Sequence, residues 1–288
     1  MPEVVEELRA LARDLLAKGT VKTVIGYKAE RLANRVSPLI ITSPDRAGEL
    51  VWNKYCLNNL AVYLTRGEVM RRGPAAVVVK GCDARAVCGL LQEGQIARQN
   101  VVIIGMVCEG VGEPLLEMCK SCDVHVPRLA DYIIPKEAQK PAEAAKTPAE
   151  ADAEVARLEA LTPEERWKFW REKLERCIKC YACRQACPLC YCKRCVVEKN
   201  QPQWISTSAH AAGNFAWNAI RAMHLAGRCG ACGACERACP QGIPLMLLNK
   251  KMAKEVALHF NYRAGYDPAA TPALRTFDAR GDNDELFR

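Results

Sequence analysis

Seven cysteines fall within the nineteen residues of CIKCYACRQACPLCYCKRC, Cys177 to Cys195. Cys177, Cys180, Cys183 and Cys187, followed by Pro188, form C-x2-C-x2-C-x3-C-P, and Cys229, Cys232, Cys235 and Cys239, followed by Pro240, repeat it. Three thiolates two residues apart on a tight loop can take three corners of an iron-sulfur cubane, while the fourth, at the start of a helix after the loop, points to another cluster. The expected ligand sets therefore cross. Cys177, Cys180, Cys183 and Cys239 would hold one [4Fe-4S] cluster, and Cys229, Cys232, Cys235 and Cys187 the other. Zinc knuckles fit less well, because zinc sites usually pair two C-x2-C units. Gly230, Gly233 and Gly242 suit the cluster reading, since backbone N-H groups can approach cluster sulfurs where no side chain intrudes.

A [4Fe-4S] cluster needs only four thiolates, so Cys190, Cys192 and Cys195 are surplus. Their spacing prevents all three from facing one way on a helix. They form a loop that could present two or three thiolates to a zinc ion or a further cluster, or they simply pack beside the neighbouring cluster. A fourth ligand would come from elsewhere. His210 and His224 are candidates, although a histidine so placed is more often a polar helix-face residue.

Six more cysteines lie earlier. Cys82, in VVVKGCDARAV, sits where a strand gives way to a helix, and Cys108, in IIGMVCEG, follows the next strand. Both thus stand at the carboxyl ends of neighbouring parallel strands, where open α/β sheets place their sites. Cys119 and Cys122 come shortly after, and four cysteines converging on one sheet edge could hold a third cluster. Cys56 and Cys88 read as small apolar core residues.

These residues need a scaffold, and the pattern supplies an α/β N-terminal domain with a short parallel sheet, residues 1–135. Val4 to Leu16 has helical spacing, VKTVIGY (Val21 to Tyr27) reads as a strand, and Leu50 to Arg66 returns to helical spacing. AAVVVK (Ala75 to Lys80) and NVVIIGMV (Asn100 to Val107) are apolar strands around the helical DARAVCGLLQEGQIA, a βαβ unit. Residues 136–160, nearly all Pro, Ala, Lys and Glu, form a semi-rigid, partly helical linker. A mainly α-helical domain over 161–260 opens at Thr162-Pro163-Glu164-Glu165, with Thr162 as N-cap, Pro163 at the first helical position and acid in the first turn. Ser208 to Leu225 and Pro244 to His259 are its clearest helices. The C-terminal residues 261–288 are either a disordered tail or an arm that orders on a partner.

The 288 residues carry 17 cysteines, and 41 Lys plus Arg against 33 Asp plus Glu give a net charge of +8. No run approaches the roughly 20 apolar residues of a membrane span, and the N-terminus lacks the basic start and apolar stretch of a secretory signal. A cytoplasmic location follows, where thiols stay reduced and metal ligation outranks disulfides. The charge is spread, without a basic stripe interleaved with aromatics, so nucleic acid is not an expected partner. No G-x-G-x-x-G follows a strand. Lys80, Arg85 and Arg98 could meet a flavin phosphate or lie on a solvated helix face.

GRCGACGACERACPQGIPL, Gly227 to Leu245, resembles the α-helical two-cluster ferredoxin domain of heterodisulfide reductase and related respiratory iron-sulfur subunits, over about Leu161 to Phe260. KGCDARA, GMVC, CKSC and LADYI, within Gly73 to Pro135, resemble the deazaflavin-coenzyme hydrogenase and dehydrogenase beta-subunit family. That second resemblance implies a [4Fe-4S] cluster on Cys82, Cys108, Cys119 and Cys122. No nucleophile and base pair is visible. The expected function is an iron-sulfur electron-transfer subunit, relaying single electrons between catalytic and electron-accepting subunits of a complex. The resemblances imply an anaerobic complex built on a hydrogenase, a formate dehydrogenase or a heterodisulfide-reductase-like core. The alternative is a flavin-containing oxidoreductase beta subunit passing electrons from a flavin or deazaflavin to the clusters. A third possibility, a zinc-bearing nucleic-acid module, would be colourless.

Overall fold

The structure, a computed structural model, describes residues 2–120, 122–137 and 153–275. It opens with α1 (Pro2–Ala17), whose Leu8, Ala12 and Leu15 face the core. The strands are β1 (Thr23–Ala29), β2 (Val36–Ile41), β3 (Ala75–Val79), β4 (Val101–Met106) and β5 (Tyr132–Ile134). They form one sheet in the order β2-β1-β3-β4-β5. β3 runs parallel to β1 and β4, with Ala75 opposite Val101, and β5 is parallel to β4; β2 alone is antiparallel. Every residue of β3 is buried, which is why this strand reads as an unbroken apolar run instead of an alternating one. Between β3 and β4 lies α2 (Gly81–Gln92), the expected crossover helix.

Leu50 to Arg66 does not form the helix its spacing predicts; only the short 3-10 turn Leu60–Tyr63 is regular. The reason is polar. Asn53 Oδ1 accepts from the Tyr55 N-H at 2.8 Å and Asn59 Oδ1 from the Ala61 N-H at 3.1 Å, local bonds that compete with a helix ladder. The carbonyls of Cys56 and Asn58 instead take the Lys80 ammonium, each at 3.0 Å. The helical spacing of Trp52, Cys56, Leu60 and Leu64 is real, since all four are buried. It comes from a loop wrapped over the sheet.

The second region contains α3 (Ala153–Glu159), α4 (Pro163–Glu175), α5 (Ala211–His224) and α6 (Leu245–Phe260). α3 occupies the last part of the expected linker, and Glu159 pins it to Lys251 (2.8 Å) and Lys254 (2.5 Å) of α6; residues 138–152 lie outside the described residues. α4 starts as its sequence predicts. Thr162 Oγ1 accepts from the Glu165 N-H at 3.2 Å, and Glu165 accepts from the Thr162 N-H at 3.0 Å. Replacing Thr162 by alanine removes one half of this capping box and is expected to cost about 1 kcal/mol. A lower unfolding temperature at unchanged iron content would show it.

The two regions share packing. Leu189 joins the core of the first region beside Gly89, and Glu93 of the segment after α2 accepts from Tyr191 Oη at 2.6 Å and Arg228 Nη2 at 2.7 Å. Residues 261–275 fold back on α2: Arg85 Nε donates to the Ala264 carbonyl at 3.0 Å, and Gln92 Nε2 to the carbonyls of Asp267 (2.9 Å) and Ala270 (2.8 Å). This part of the expected tail is therefore an arm ordered on the chain's own first domain; 276–288 lie outside the described residues. Gly265 is required there. Its φ is +72°, and a Cβ would fall 2.3 Å from the Arg85 carbonyl oxygen.

Candidate cluster-binding sites

The two repeated loops share one backbone. Lys179 (φ +52°) and Tyr181 (φ +57°) in the first correspond to Ala231 (+55°) and Gly233 (+65°) in the second. Each loop then enters a single helical turn, Ala182–Gln185 or Ala234–Arg237. Left-handed residues alternating with ordinary ones turn successive N-H groups into a concavity that favours anions. Holding a non-glycine residue there costs about 1–3 kcal/mol, a strain typical of ligand-holding loops. Cys183 and Cys235 lie inside the helical turns. Cys187 and Cys239 follow them, their N-H groups bonded to Arg184 O (3.2 Å) and Glu236 O (3.0 Å). The fourth cysteine thus leaves the end of a helical turn, where the sequence reading put it at a helix start.

Cys177, Cys180, Cys183 and Cys239 line one cavity, walled by Tyr181, Trp217 and Ile243. Cys187, Cys229, Cys232 and Cys235 line a second, with Arg221, Met246 and Asn249. Each cavity takes its fourth cysteine from the other loop. Cys82, Cys108, Cys119 and Cys122 line a third, with Lys80, Met118, His125 and Arg237. Cys82 is the second residue of α2, Cys108 lies just beyond β4, and the Cys122 N-H bonds to the Cys119 carbonyl at 3.3 Å. The second loop reaches the first domain here: a Cβ on Gly230 would stand 3.2 Å from the Cys82 carbonyl oxygen.

The cavities lie in series. Cys232 lines both the second and the third, and Arg221, in the wall of the second, donates from Nη2 to the Cys183 carbonyl of the first at 3.2 Å. All seventeen cysteines are free. Burial pushes the thiols of Cys229 and Cys235 up to about 12 and that of Cys183 to about 11. Without a bound cation they keep their protons, and metal binding would release them. Among the described residues no three Cys, His, Asp or Glu side chains converge closely enough to chelate a single ion. Four cysteines spread around a cavity suit a multi-iron group better than one ion.

Cys190, Cys192 and Cys195 are not brought to one point. Cys190 faces Cys187, whose thiol hydrogen bond is the chief reason its own thiol is lowered; Cys192 is exposed, and Cys195 packs at the edge of the second region's core. His210 caps α5, its Nδ1 accepting from the Gly213 N-H at 3.4 Å. Cys56 and Cys88 are fully buried, as core residues should be. The choice offered for the three cations needs correction for two of them. Lys80, 2 % exposed, is paired with Asp83 at 2.7 Å. Arg85 is tied to the arm and stacks 5.0 Å from the Tyr266 ring. Arg98 is exposed, as the solvated alternative has it, and bonds to Val101 O at 2.7 Å and to Asp131.

Three site features escaped the sequence reading: Lys80 with Asp83, Arg237 and Arg221. A signal existed for the last. Asn214, Trp217, Asn218 and Arg221 recur at helical spacing, so the inner face of α5 is polar where an ordinary core helix is apolar, and all four are buried.

Comparison with known proteins agrees with this class of site. Residues 176–244 match the family model described as a 4Fe-4S dicluster domain, so the helical region bears a ferredoxin-type cluster domain. Over most of its length the chain is similar to the F420-dependent formate dehydrogenase subunit beta of Methanocaldococcus jannaschii, 25% identical over 91% of this chain and 92% of the relative. It is similarly related to the F420-dependent formate dehydrogenase 1 subunit beta of Methanococcus maripaludis, 24% identical over 92% of each chain. No helix among the described residues is long and apolar enough to cross a membrane.

Proposed function

We propose that this chain is an iron-sulfur electron-transfer subunit that relays single electrons between the catalytic and electron-accepting subunits of a cytoplasmic redox complex. The observation that carries this is three four-cysteine cavities placed in series through one polypeptide. A [4Fe-4S] cluster bound by each set supplies outer-sphere, one-electron transfer. The chain does the rest. Cys177, Cys180, Cys183 and Cys239, then Cys187, Cys229, Cys232 and Cys235, then Cys82, Cys108, Cys119 and Cys122 supply the thiolates. Trp217, Ile243 and Met246 give the first two cavities apolar walls. The names of the two relatives favour a formate dehydrogenase core over the hydrogenase and heterodisulfide-reductase-like cores.

The F420 dependence in those names also favours a second reading, a flavin-containing oxidoreductase beta subunit that passes electrons from a flavin or deazaflavin to the clusters. Anaerobic purification with a count of iron, acid-labile sulfide, zinc and flavin separates the two. About twelve irons per chain, four to each cysteine set, with neither flavin nor zinc, is the expected result. About eight would remove the third set. Flavin near one per chain would favour the second reading, and one zinc would mark a separate site at Cys190, Cys192 and Cys195.

A further inference from the structure

Arg221 is a guanidinium sealed between two of the proposed ligand sets. Its side chain projects from α5, only 4 % of the residue is exposed, and it lines the cavity of Cys187, Cys229, Cys232 and Cys235. Nη2 is committed to the Cys183 carbonyl of the neighbouring set at 3.2 Å. Among the described residues its buried Nε has no hydrogen-bond partner, and no carboxylate is ion-paired with it, whereas Arg228 pairs with Glu93 and Arg263 with Asp123. An arginine without a carboxylate partner, buried this deeply, is costly unless negative charge lies beside it. The other inter-cavity arginine differs, because Arg237 spends both terminal nitrogens on the carbonyls of Cys232 and Leu57, each at 2.8 Å.

We infer that Arg221 sets the reduction potentials of both clusters of the dicluster region, its one positive charge serving two ligand sets and its Nε-H donating to sulfur of the set on Cys187, Cys229, Cys232 and Cys235. This rests on the ligand sets proposed above. Reduction by a one-electron donor adds one negative charge to a set and moves no proton. A fixed cation nearby favours the reduced state, and a dry surrounding strengthens the effect. One arginine shared by two sets ties their potentials together, so both shift in the same direction when it changes.

The test uses the full chain purified without oxygen, titrated with dithionite and followed by electron paramagnetic resonance. Arg221→Gln is expected to keep its iron and to become harder to reduce at both clusters, by at least tenfold in the reduction equilibrium, which is 59 mV for one electron. Arg221→Lys keeps the charge and should stay within about threefold of the parent. Full iron in Arg221→Gln with parental potentials overturns the inference. If Arg221→Gln does not assemble, protein labelled with 15N-arginine decides: the reduced parent should show a 15N coupling that Arg221→Lys lacks, and its absence from the parent overturns the proposal. Failure of the underlying reading looks different. Serine variants of Cys229 and Cys177 would then leave the iron content untouched.

Discussion

Cys187→Ser is expected to abolish the same cluster signal as Cys232→Ser, and to spare the signal that Cys177→Ser abolishes. The prediction is specific because sequence proximity says the opposite: Cys187 lies four residues from Cys183 and far along the chain from Cys232. The cavities decide it. Cys187 lines the space ringed by Cys229, Cys232 and Cys235, and Cys239 lines the space ringed by Cys177, Cys180 and Cys183. The expected loss is about four of twelve irons per chain for each variant. Cys239→Ser should pair with Cys177→Ser by the same logic. Iron counts give the magnitude, and low-temperature electron paramagnetic resonance tells which signal has gone. If Cys187→Ser and Cys177→Ser erased one signal together, the sets would be local to each loop and the crossed assignment would be wrong. The third set supplies an internal standard, since Cys108→Ser should remove a signal that neither pair touches.

Cysteine spacing made the linings of the two cavities legible because the constraint is local: three cysteines on one turn fix their own geometry, and the repeat shows where the partner loop lies. β3 and β4 were legible for a related reason, since a strand covered on both faces leaves a continuous apolar run. β2 and β5 left no such trace. β2 shows no clean alternation of buried and exposed residues, and β5 is three residues long. Leu50 to Arg66 deceived because burial spacing records which side chains face the core, not which backbone carries them. What settles that backbone is Lys80, twenty or more residues on, drawing two carbonyls out of any helix. The arm over 261–275 was ambiguous because several of its anchors are backbone carbonyls, which every sequence possesses, and because its side-chain anchors, Tyr262 on Gln92 and Arg263 on Asp123, have partners far away in the chain. Arg221 was hidden differently. Its type is ordinary on a helix, and its meaning depends on cysteines that reach it from both loops.

Lys80→Met is expected to destabilise the first domain by about 3–5 kcal/mol, the cost of breaking a buried ion pair and stranding its partner. Both charges are sealed: Lys80 is 2 % and Asp83 1 % exposed, with Nζ and Oδ2 2.7 Å apart. The ammonium also donates to Tyr27 Oη at 2.9 Å and to the carbonyls of Cys56 and Asn58. Its removal therefore leaves an uncompensated carboxylate and three acceptors without this donor. Asp83 has a second task, accepting from the Lys80 N-H at 3.2 Å where β3 turns into α2. The double variant Lys80→Met with Asp83→Leu should consequently recover most of the loss, falling short by about 1 kcal/mol for the missing helix-start bond. Unfolding temperatures compared at equal iron content measure both. For a domain of this size packed against a second region, 1 kcal/mol moves the midpoint by about 2–4 °C, so the single variant should unfold at least 6 °C or so lower. A single variant as stable as the parent would mean that the pair is solvated and that the loop over Cys56 to Asn59 is held by apolar packing alone. A double variant no better than the single would locate the energy in the ammonium's bonds to the loop and not in the ion pair. In that case Lys80 acts chiefly as the pin that keeps Leu57 in the wall of the third cavity.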